Sequence, residues 1–465
     1  MAAGERPVRI ERDTMGEMEV PAEALYGAQT ARAVANFTIS GWRMPERFIS
    51  ALARIKEAYA RANGEAGRLS SEVAAAVAAA AETVAAGAHR EHFPVDVFQS
   101  GSGTSSNMNV NEVIARLATE ALGGGRQRVH PNDDVNRGQS SNDVVPAAIR
   151  LAAAEAWRDV TRPALTAAVE SLRRLAREHA GTVTLGRTHL MDAVPTTYGR
   201  TFDAWARRVA EAVARVDEAA APLRRVPLGG TAVGSGIGAE RRVVESAIAR
   251  LRETTGLDLE PEANPALAIA GQDALIAFAD ALAGIGRALA AVANDLRLRA
   301  SGPFGGLGEL LLPPVQPGSS IMPGKVNPVI PEAVVQVAIQ VEGLAAACRA
   351  TAALHQLELS HANPLLAWNL DTMAGLLAGA GRVLAERCLD GLRVDTARAA
   401  ALAARSPALA TALAGRIGYE RAAEIAKQAA ATGATVAEVA RRLAVLPDDE
   451  LDHLLDCARL AGATE

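Results

Sequence analysis

The stretch LIAFADALAGIGRALAAVANDL, residues 275–296, decides the fold. Its large apolar residues alternate at spacings of three and four through three heptads: Leu275, Phe278, Leu282, Ile285, Leu289, Val292 and Leu296. This spacing places them on one face of an α-helix, and a seam sustained over three heptads is typical of a helical bundle. At about 1.5 Å per residue, the helix is on the order of 40 Å long.

Two other stretches repeat this spacing. One precedes residues 275–296 and the other follows them: Phe202, Trp205, Val209, Val213 and Val216, then Val334, Val337, Val341, Leu344 and Cys348. Aromatic residues make up only 3% of the chain while alanine is abundant, which favours closely packed helices over β-sandwiches. Alanines on the other helix faces let further helices approach, so we predict oligomerisation through a shared bundle, with a long monomeric bundle as the alternative.

The segment GSSIMPGKVNP, residues 318–328, lies between two of these seams and brings two hydroxyls, a lysine and an amide into one short loop. Two glycines and two prolines fix its backbone path. The backbone N–H groups and the side chains of Ser319, Ser320, Lys325 and Asn327 can therefore converge on one carboxylate. An ordinary surface turn needs far fewer of these residues, so the sequence predicts an anion-binding loop.

Two more polar clusters precede predicted helices. In SGSGTSSNMN, residues 100–109, two glycines expose backbone amides, and in SSND, residues 140–143, hydroxyls open the next helix. A structural N-cap needs only one such residue, whereas several donors at a helix N-terminus form a cradle for a carboxylate. The candidate binding residues are Ser102, Thr104, Ser140, Ser141 and Asn142.

The third cluster is GRTHLMD, residues 186–192, in which His189 follows Thr188. A lone histidine near a predicted helix start is usually structural. Beside the other clusters, however, it can hold or activate a water near neutral pH if a carboxylate orients its second ring nitrogen. Glu332, just after Pro331 at the start of the helix behind the anion loop, is the candidate partner.

The length and the turn signals suggest three parts. A run of turn formers at residues 123–142 separates an N-terminal region from the long helices, and the central part ends near residue 391. We therefore expect an N-terminal domain at 1–139, a central long-helix bundle at 140–391 and a small C-terminal helical domain at 392–465.

Charge and cysteine content exclude several classes of protein. Lysine and arginine total 48 against 53 acidic residues, the net charge is -5 and the signs are interspersed, so we expect no nucleic-acid partner. The three cysteines are widely spaced and predict neither a disulfide framework nor a zinc site. The N-terminus is charged and the alanine-rich run at 73–81 ends at Glu82, so we expect a cytoplasmic protein without a membrane partner.

The motifs together resemble one family. GSGTSSNMN, HPNDDVN, QSSND, GRTHLMDAVP, LGGTAVG, ANDLRLRASGP and GSSIMPGKVNP stand in the order seen in class II fumarases of the fumarase/aspartase superfamily, and IERDTMGEMEVPAEALYGAQT resembles their N-terminal segment. The resemblance covers nearly the entire chain. It implies an all-α homotetramer with a core of about twenty long helices, about five from each subunit, smaller terminal domains and active sites composed from three subunits.

The resemblance also implies a reaction, the reversible hydration of fumarate to malate through an aci-carboxylate intermediate. Ser319 would be the base, Lys325 and Asn327 would hold the dianion, and His189 with Glu332 would manage the water. The remaining candidates would position the substrate: Ser102, Thr104, Ser140, Ser141, Asn142, Thr188 and Ser320. We expect no metal and no cofactor, because Lys325 and the loop amides supply the positive field.

The chain departs from the family pattern at two places. Residues 234–238 read GSGIG where the family usually has GTGLN, so Gly238 replaces asparagine. Residues 358–361 read ELSH where the family usually has ELNV, so Ser360 and His361 differ. We expect the second change to fall on a bundle helix near the site, which leaves the substrate less certain than the chemistry.

The HPND turn resembles the secondary anion site of the family, with His130, Asn132 and Asp133 as the candidate residues. The basic residue expected three positions before the histidine is replaced by Gln127, between Arg126 and Arg128. A structural role is therefore favoured for this turn over ligand binding.

Three rival functions remain open. Aspartate ammonia-lyases share the anion loop and the phrase NPVIPEAV, although they generally carry glutamine at the position of His189. A lyase for another substituted succinate would account for Ser360 and His361. The superfamily also includes a lens crystallin, so an inactive structural protein is the third rival, against which the retained Ser319 and Lys325 argue.

Overall fold

The computed structural model describes residues 7–124 and 128–463, and α-helices dominate this part of the chain. In chain order they are α1 (Ala28–Asn36), α2 (Glu46–Glu65), α3 (Ser71–Ala85), α4 (Thr104–Ala121), α5 (Ser141–Ala156), α6 (Arg162–Glu178), α7 (Tyr198–Ala220), α8 (Arg241–Thr255), α9 (Pro265–Ala270), α10 (Asp273–Arg299), α11 (Val329–Ala350), α12 (Asn363–Leu384), α13 (Thr396–Arg405), α14 (Ala414–Ile417), α15 (Tyr419–Thr432), α16 (Val436–Arg442), α17 (Asp448–Leu454) and α18 (Cys457–Leu460). A π-helical segment, Trp157–Thr161, joins α5 to α6. The predicted all-α class is confirmed.

Short strands form small two-stranded sheets, which the sequence did not predict. Antiparallel pairs are β1 (Val8–Asp13) with β2 (Gly16–Pro21), β3 (Val183–Thr188) with β4 (Met191–Thr197), β7 (Leu310–Leu311) with β10 (Arg393–Val394), and β8 (His355–Gln356) with β9 (Leu359–Ser360). The parallel pair is β5 (Arg225–Val226) with β6 (Glu260–Pro261). Most of these strands have only two residues, so the sheets serve to fix loops against the helices.

The chain divides into two compact units. Unit 1 comprises Met1–Arg162, Ala214–Gly284 and Gln340–Leu377, and unit 2 comprises Pro163–Val213, Ile285–Ile339 and Ala378–Glu465. The long helices α7, α10, α11 and α12 each contribute residues to both units. The three-part division expected from the sequence stays a prediction.

Helix α2 is central to unit 1, where it packs against α3, α5 and α8. Its large side chains Phe48, Leu52, Ile55 and Tyr59 recur at spacings of three and four, and all are almost completely buried. A serine N-cap begins α3, because the Ser70 hydroxyl accepts the N–H of the third helical residue. This packing fixes α5, whose first turn carries candidate site residues.

In unit 2, α13 packs against β3, and the C-terminal helices bury an apolar cluster of their own. Members of that cluster come from three helices and the 3₁₀ segment before them: Leu409, Leu413, Ile425, Val439 and Leu451. The small C-terminal elements therefore have enough apolar contacts to hold together.

The predicted seams are confirmed. The seven seam residues of residues 275–296 are each at most 1% exposed. The seam on α7 is buried throughout, and that on α11 is buried except at the half-buried Val337. The helix α10 and residues 329–354 are each long and apolar enough to cross a membrane. The buried core helix of a soluble protein can have the same length and composition. The most apolar window is 56% buried in α10 but only 28% buried in residues 329–354.

Candidate functional site

The glycine-rich loop before α4 brings two hydroxyls together. Ser102 Oγ lies 2.8 Å from Thr104 Oγ1, and Ser102 is buried while Thr104 is exposed. Gly103, in the left-handed region at φ 83°, is the N-cap of α4. A Cβ on Gly101 would lie 2.0 Å from the carbonyl oxygen of His361, so only glycine fits there. Close packing therefore holds the hydroxyls at the helix N-terminus, as a carboxylate cradle requires.

The first turn of α5 lies beside this loop. Asn107 on α4 donates from Nδ2 to Ser141 Oγ at 3.1 Å, which joins the two helix starts. The hydroxyl of Ser140 accepts the N–H of Asn142, and Asn142 Nδ2 donates to the carbonyl of Ala232. The sequence predicted Ser140, Ser141 and Asn142 as binding residues, and the structure gives each a structural contact as well.

Asp143 anchors this turn from inside the protein and was not among the predicted site residues. Its carboxylate accepts the N–H of Ser140 at 2.9 Å, which completes a capping box, and the N–H groups of Gly229 and Thr231 at 3.1 and 2.9 Å. It is fully buried, and burial raises the pKa of Asp143 to about 6. The serine-asparagine-aspartate pattern could have identified it, because a capping box needs an acid three residues after the cap.

The HPND turn forms a π-helical turn, Pro131–Val135, in unit 1. His130 is exposed, and its Nδ1 accepts the N–H groups of Asn132 and Asp133. His130 and Asn132 line a cavity of about 570 Å³ together with three arginines: Arg9, Arg12 and Arg116. The predicted Gln127 and Arg126 lie outside the described residues, and a structural or ligand-binding role of this turn stays a prediction.

In unit 2 the predicted anion loop folds back on itself. The N–H of Gly318 donates to the carbonyl of Lys325 at 2.7 Å, and Asn327 Nδ2 donates to the carbonyl of Gly318 at 2.8 Å. A Cβ on Gly318 would meet the Lys325 carbonyl oxygen at 2.7 Å, and Gly324 turns the chain at φ 80°. The two glycines therefore close the loop, one by close approach and one by conformation.

The closed loop directs two backbone donors at one hydroxyl. Ser319 Oγ accepts the N–H of Ile321 at 3.2 Å and that of Met322 at 3.0 Å. Hydrogen bonds to an oxygen stabilise its charged form, so this geometry favours the alkoxide of Ser319 over that of an unbonded serine. Ser319 is half-buried.

The other predicted members of the loop face solvent. Ser320 and Lys325 are exposed, and among the described residues no hydrogen bond or ion pair involves the Lys325 ammonium. Glu332 lies half-buried in the first turn of α11, as predicted. The structure therefore brings Ser319, Lys325 and Asn327 into one loop with Glu332 shortly behind it.

The position of His189 differs from the prediction. It was expected near a helix start, but it lies in the two-residue turn of the β3–β4 hairpin, since Thr188 pairs with Met191. Both turn residues, His189 and Leu190, have positive φ, at 56° and 62°, as a type I′ hairpin turn requires. Short alternating strands without a glycine at the turn explain why the hairpin was missed. Thr188 and His189 are exposed at its tip.

A buried carboxylate supports the hairpin. Glu309 is fully buried and accepts hydrogen bonds from Arg187 on β3 at 3.0 and 3.1 Å, and from the Tyr198 hydroxyl at 2.9 Å. Arg299 at the end of α10 lies 3.5 Å from the same carboxylate. The hairpin is thus fixed at its base. No hydrogen bond or ion pair joins His189 to Glu332 within the described part of one chain.

The departures from the family pattern have different settings. Gly238 is exposed at φ 81° with open space around it. Ser360 and His361 were expected on a bundle helix, but Ser360 ends strand β9 and His361 lies in the turn before α12. The helical expectation was wrong because β8 and β9 interrupt the helical pattern between α11 and α12. The turn packs on the cradle loop, since the His361 carbonyl touches Gly101.

Family models and solved structures show the class of protein to which this chain belongs. A family model described as "Lyase" matches residues 16–343, and one described as "Fumarase C C-terminus" matches residues 409–462. The recombinant class II fumarase of Schistosoma mansoni superimposes with a TM-score of 0.95 at 34% identity, covering 99% of this chain and 100% of that one. A fumarate lyase:delta crystallin from Brucella melitensis, solved bound to cobalt, gives 0.94 at 45% identity, with 98% and 100% covered.

The sequences of curated relatives identify the family within this class. The class II fumarate hydratase of Xylella fastidiosa (strain Temecula1) is 47% identical, covering 97% of this chain and 95% of that protein. That of Chromobacterium violaceum is 46% identical, covering 96% and 98%. The chain belongs to the class II fumarate hydratase family of the lyases.

Proposed function

We propose that this chain catalyses the reversible hydration of fumarate to malate. The observation that carries the proposal is the Ser319 hydroxyl, which accepts two backbone N–H groups inside a loop closed by Gly318. A serine hydroxyl is a poor base at neutral pH unless its anion is stabilised, and this geometry supplies that stabilisation. The near full-length similarity to class II fumarate hydratases supports the same reaction.

In the direction from malate, the Ser319 alkoxide takes a proton from the carbon next to one carboxylate. The electron pair of that C–H bond moves into the carboxylate and gives an aci-carboxylate dianion. Lys325, an exposed ammonium, and the amide of Asn327 are placed in the same loop to hold the extra negative charge. The proposal requires no metal or cofactor, because these groups supply the positive field.

The dianion then collapses, and the C–O bond of the neighbouring carbon breaks on the opposite face. The hydroxyl group leaves as water, because its oxygen gains a proton as the bond breaks. We assign that proton transfer to His189, oriented by Glu332, since an imidazole ring nitrogen can act as a general acid or base. We assign the binding of the substrate carboxylates to the remaining candidates: Ser102, Thr104, Ser140, Ser141, Asn142, Thr188 and Ser320.

We further propose that the protein acts as a cytoplasmic homotetramer whose sites combine residues of three subunits. Large apolar side chains are exposed beside the reactive residues: Leu190 is 75%, Met191 69% and Ile321 83% exposed. The apolar surface of α11 is also largely uncovered, with Ile339 69% exposed. Neighbouring subunits would cover these surfaces and bring His189 to Glu332.

The test compares fumarate with water against fumarate with ammonium, using purified protein. We expect loss of the ultraviolet absorbance of the fumarate double bond without ammonium, and malate as the product. The rival ammonia-lyase reaction predicts consumption only with ammonium, and aspartate as the product. A protein that ignores fumarate and malate but cleaves another substituted succinate would overturn the proposal and direct attention to Ser360 and His361.

A further inference from the structure

A fully buried lysine lies behind the candidate cradle of unit 1. Lys56 on α2 donates from Nζ to Asn136 Oδ1 and to Gln139 Oε1, both at 2.9 Å. No carboxylate within ion-pair distance accompanies it among the described residues, although the charge of Asp143 acts on it from nearby. Burial lowers the pKa of Lys56 to about 7. An ammonium buried without a contacting carboxylate destabilises a fold, so its place in this one requires an explanation.

The lysine determines which way the neighbouring amides point. Lys56 donates from Nζ to the oxygen of Asn136, and in its ammonium form it can only donate, so this form holds the Asn136 oxygen towards Lys56. The amide nitrogen of Asn136 then donates to the carbonyl of Gln139 at 3.2 Å. The same Asn136 oxygen accepts the amide nitrogens of Asn107 and Asn111, both at 3.2 Å. Three donors therefore meet on one oxygen.

The orientation of the Asn136 amide also orients Asn107, which contacts the cradle. With its nitrogen towards Asn136, Asn107 also donates to Ser141 Oγ at 3.1 Å. Because the oxygen of Ser141 accepts that bond, its hydroxyl proton is left to be donated outward. A substrate carboxylate can only accept hydrogen bonds, so the orientation that suits it is the one in which Ser141 donates.

Two unpaired oxygens indicate that this direction is imposed. Asn107 Oδ1 and Asn111 Oδ1 are buried without a hydrogen-bond partner. A buried acceptor left unpaired has lost its bonds to water without a replacement, which is unfavourable. Turning either amide over would instead bring its oxygen against the Asn136 oxygen. The two asparagines keep an unpaired oxygen because the donors must face Asn136, whose own direction is set by Lys56.

We propose that Lys56 is a positioning residue for substrate binding, which fixes the donor direction through Asn136 and Asn107 to Ser141 and places a positive charge behind the cradle. The inference rests on the proposed function for the role of Ser141. Lys56 touches no substrate in this account. Its effect is on the ground state and the transition state alike, so its loss is expected to raise KM while leaving kcat nearly unchanged.

The test compares Lys56→Met with Arg150→Met. Arg150 is the matched control, because it is also a buried cation of unit 1 bonded to an amide oxygen, that of Gln272 at 2.9 Å, and it contacts none of the cradle residues. Two quantities are measured: the kinetics with fumarate, and the dissociation constant of succinate, a saturated dicarboxylate, by calorimetry. For Lys56→Met we expect KM and the succinate dissociation constant to rise about 10- to 100-fold. This is the scale of losing one charge-assisted hydrogen bond, that from the Ser141 hydroxyl to a carboxylate of the ligand.

Arg150→Met is expected to lower the melting temperature without changing either binding constant. If Lys56→Met binds succinate as tightly as Arg150→Met, the inference is wrong and Lys56 is only structural. If Lys56→Met does not fold, Lys56→Gln takes its place, because glutamine removes the positive charge and can turn its oxygen as well as its nitrogen towards Asn136, so that it no longer imposes a direction. We expect at least a 10-fold loss of succinate affinity, with tight binding as the contrary result. A wild-type protein that does not hydrate fumarate overturns the proposed function, whereas a working wild type with unaffected lysine variants overturns this inference alone.

Discussion

In unit 1 the candidate binding residues are held by neighbours from distant parts of the chain, whereas in unit 2 the candidate reactive residues are held mainly by their own segment. Ser102 is only 7% exposed, and Asp143 below the cradle is fully buried. The anion loop closes on itself, and beside its reactive serine Ile321 is 83% exposed. The candidate binding residues are thus fixed by packing, whereas Ser319 is fixed by hydrogen bonds within its own loop.

The difference has a physical consequence for mutations. A change in unit 1 disturbs packing and binding together, because the same side chains serve both. A change in the unit 2 loop or hairpin tip removes chemistry with little loss of folding free energy, because exposed groups contribute little to it. Four tests examine this separation, and they follow in order of expected effect.

The largest effect is expected for Ser319→Ala, which removes the proposed base. Turnover should be abolished, while thermal stability changes by about 1 kcal/mol or less, since one half-buried hydroxyl is lost. Activity assays measure turnover, gel filtration measures the oligomer size, which should not change, and thermal melting measures stability. Near-normal activity would refute the assignment of the base, and an unfolded variant would contradict the separation of chemistry from folding in unit 2.

His189→Gln should lower hydration by about 10², the scale of a lost general acid or base, with assembly unchanged. If His189 and Ser319 reach one site from different subunits, His189→Gln and Ser319→Ala chains that are mixed, denatured and refolded together should be more active than either variant. Each variant refolded alone is the control. Properly assembled mixtures no more active than His189→Gln alone would show that a single chain supplies both residues.

A pair of glycines distinguishes the two units directly. In unit 1, Gly101→Ala places a Cβ 2.0 Å from the His361 carbonyl oxygen and should destabilise the protein by about 3 kcal/mol or more, because the backbone has to move. In unit 2, Gly324→Ala meets no atom within 4 Å and should cost only about 1 kcal/mol for its positive φ. Chemical denaturation measures both. Equal losses would remove the contrast between the units.

The smallest effect is expected for Ser360→Ala. The Ser360 hydroxyl is buried without a partner, so its removal should stabilise the protein by about 1 kcal/mol. Ser406→Ala is the control, because that buried hydroxyl bonds the carbonyl of Ala193 and the N–H of Ala408, and its loss should destabilise. A loss of stability in Ser360→Ala would indicate that a bound group satisfies this hydroxyl.

The helical framework could be predicted because apolar periodicity reports burial directly. Every seam position of residues 275–296 is buried, as the apolar face of a bundle helix should be. Glu332 was also placed correctly, because proline and an acid mark the first turn of a helix. Local signals of this kind need no knowledge of the rest of the fold.

The hairpin and the buried polar groups could not be predicted in the same way. The turn at His189 and Leu190 lacks the glycine or asparagine that marks a type I′ turn, and β9 has only two residues. Lys56 lies in an alanine-rich helix where a lysine ordinarily faces water, and only the tertiary structure buries it against Asn136 and Gln139. Such features depend on residues far apart in the chain.

The buried carboxylate of Glu309 has a consequence for how this active site can evolve. Arg187, Tyr198 and Arg299 secure the base of the hairpin on it, and removing one partner of such a buried charge typically costs about 3–5 kcal/mol. The tip at His189 takes no part in that anchor. Natural variation can therefore exchange the tip residue while the buried anchor keeps the hairpin folded.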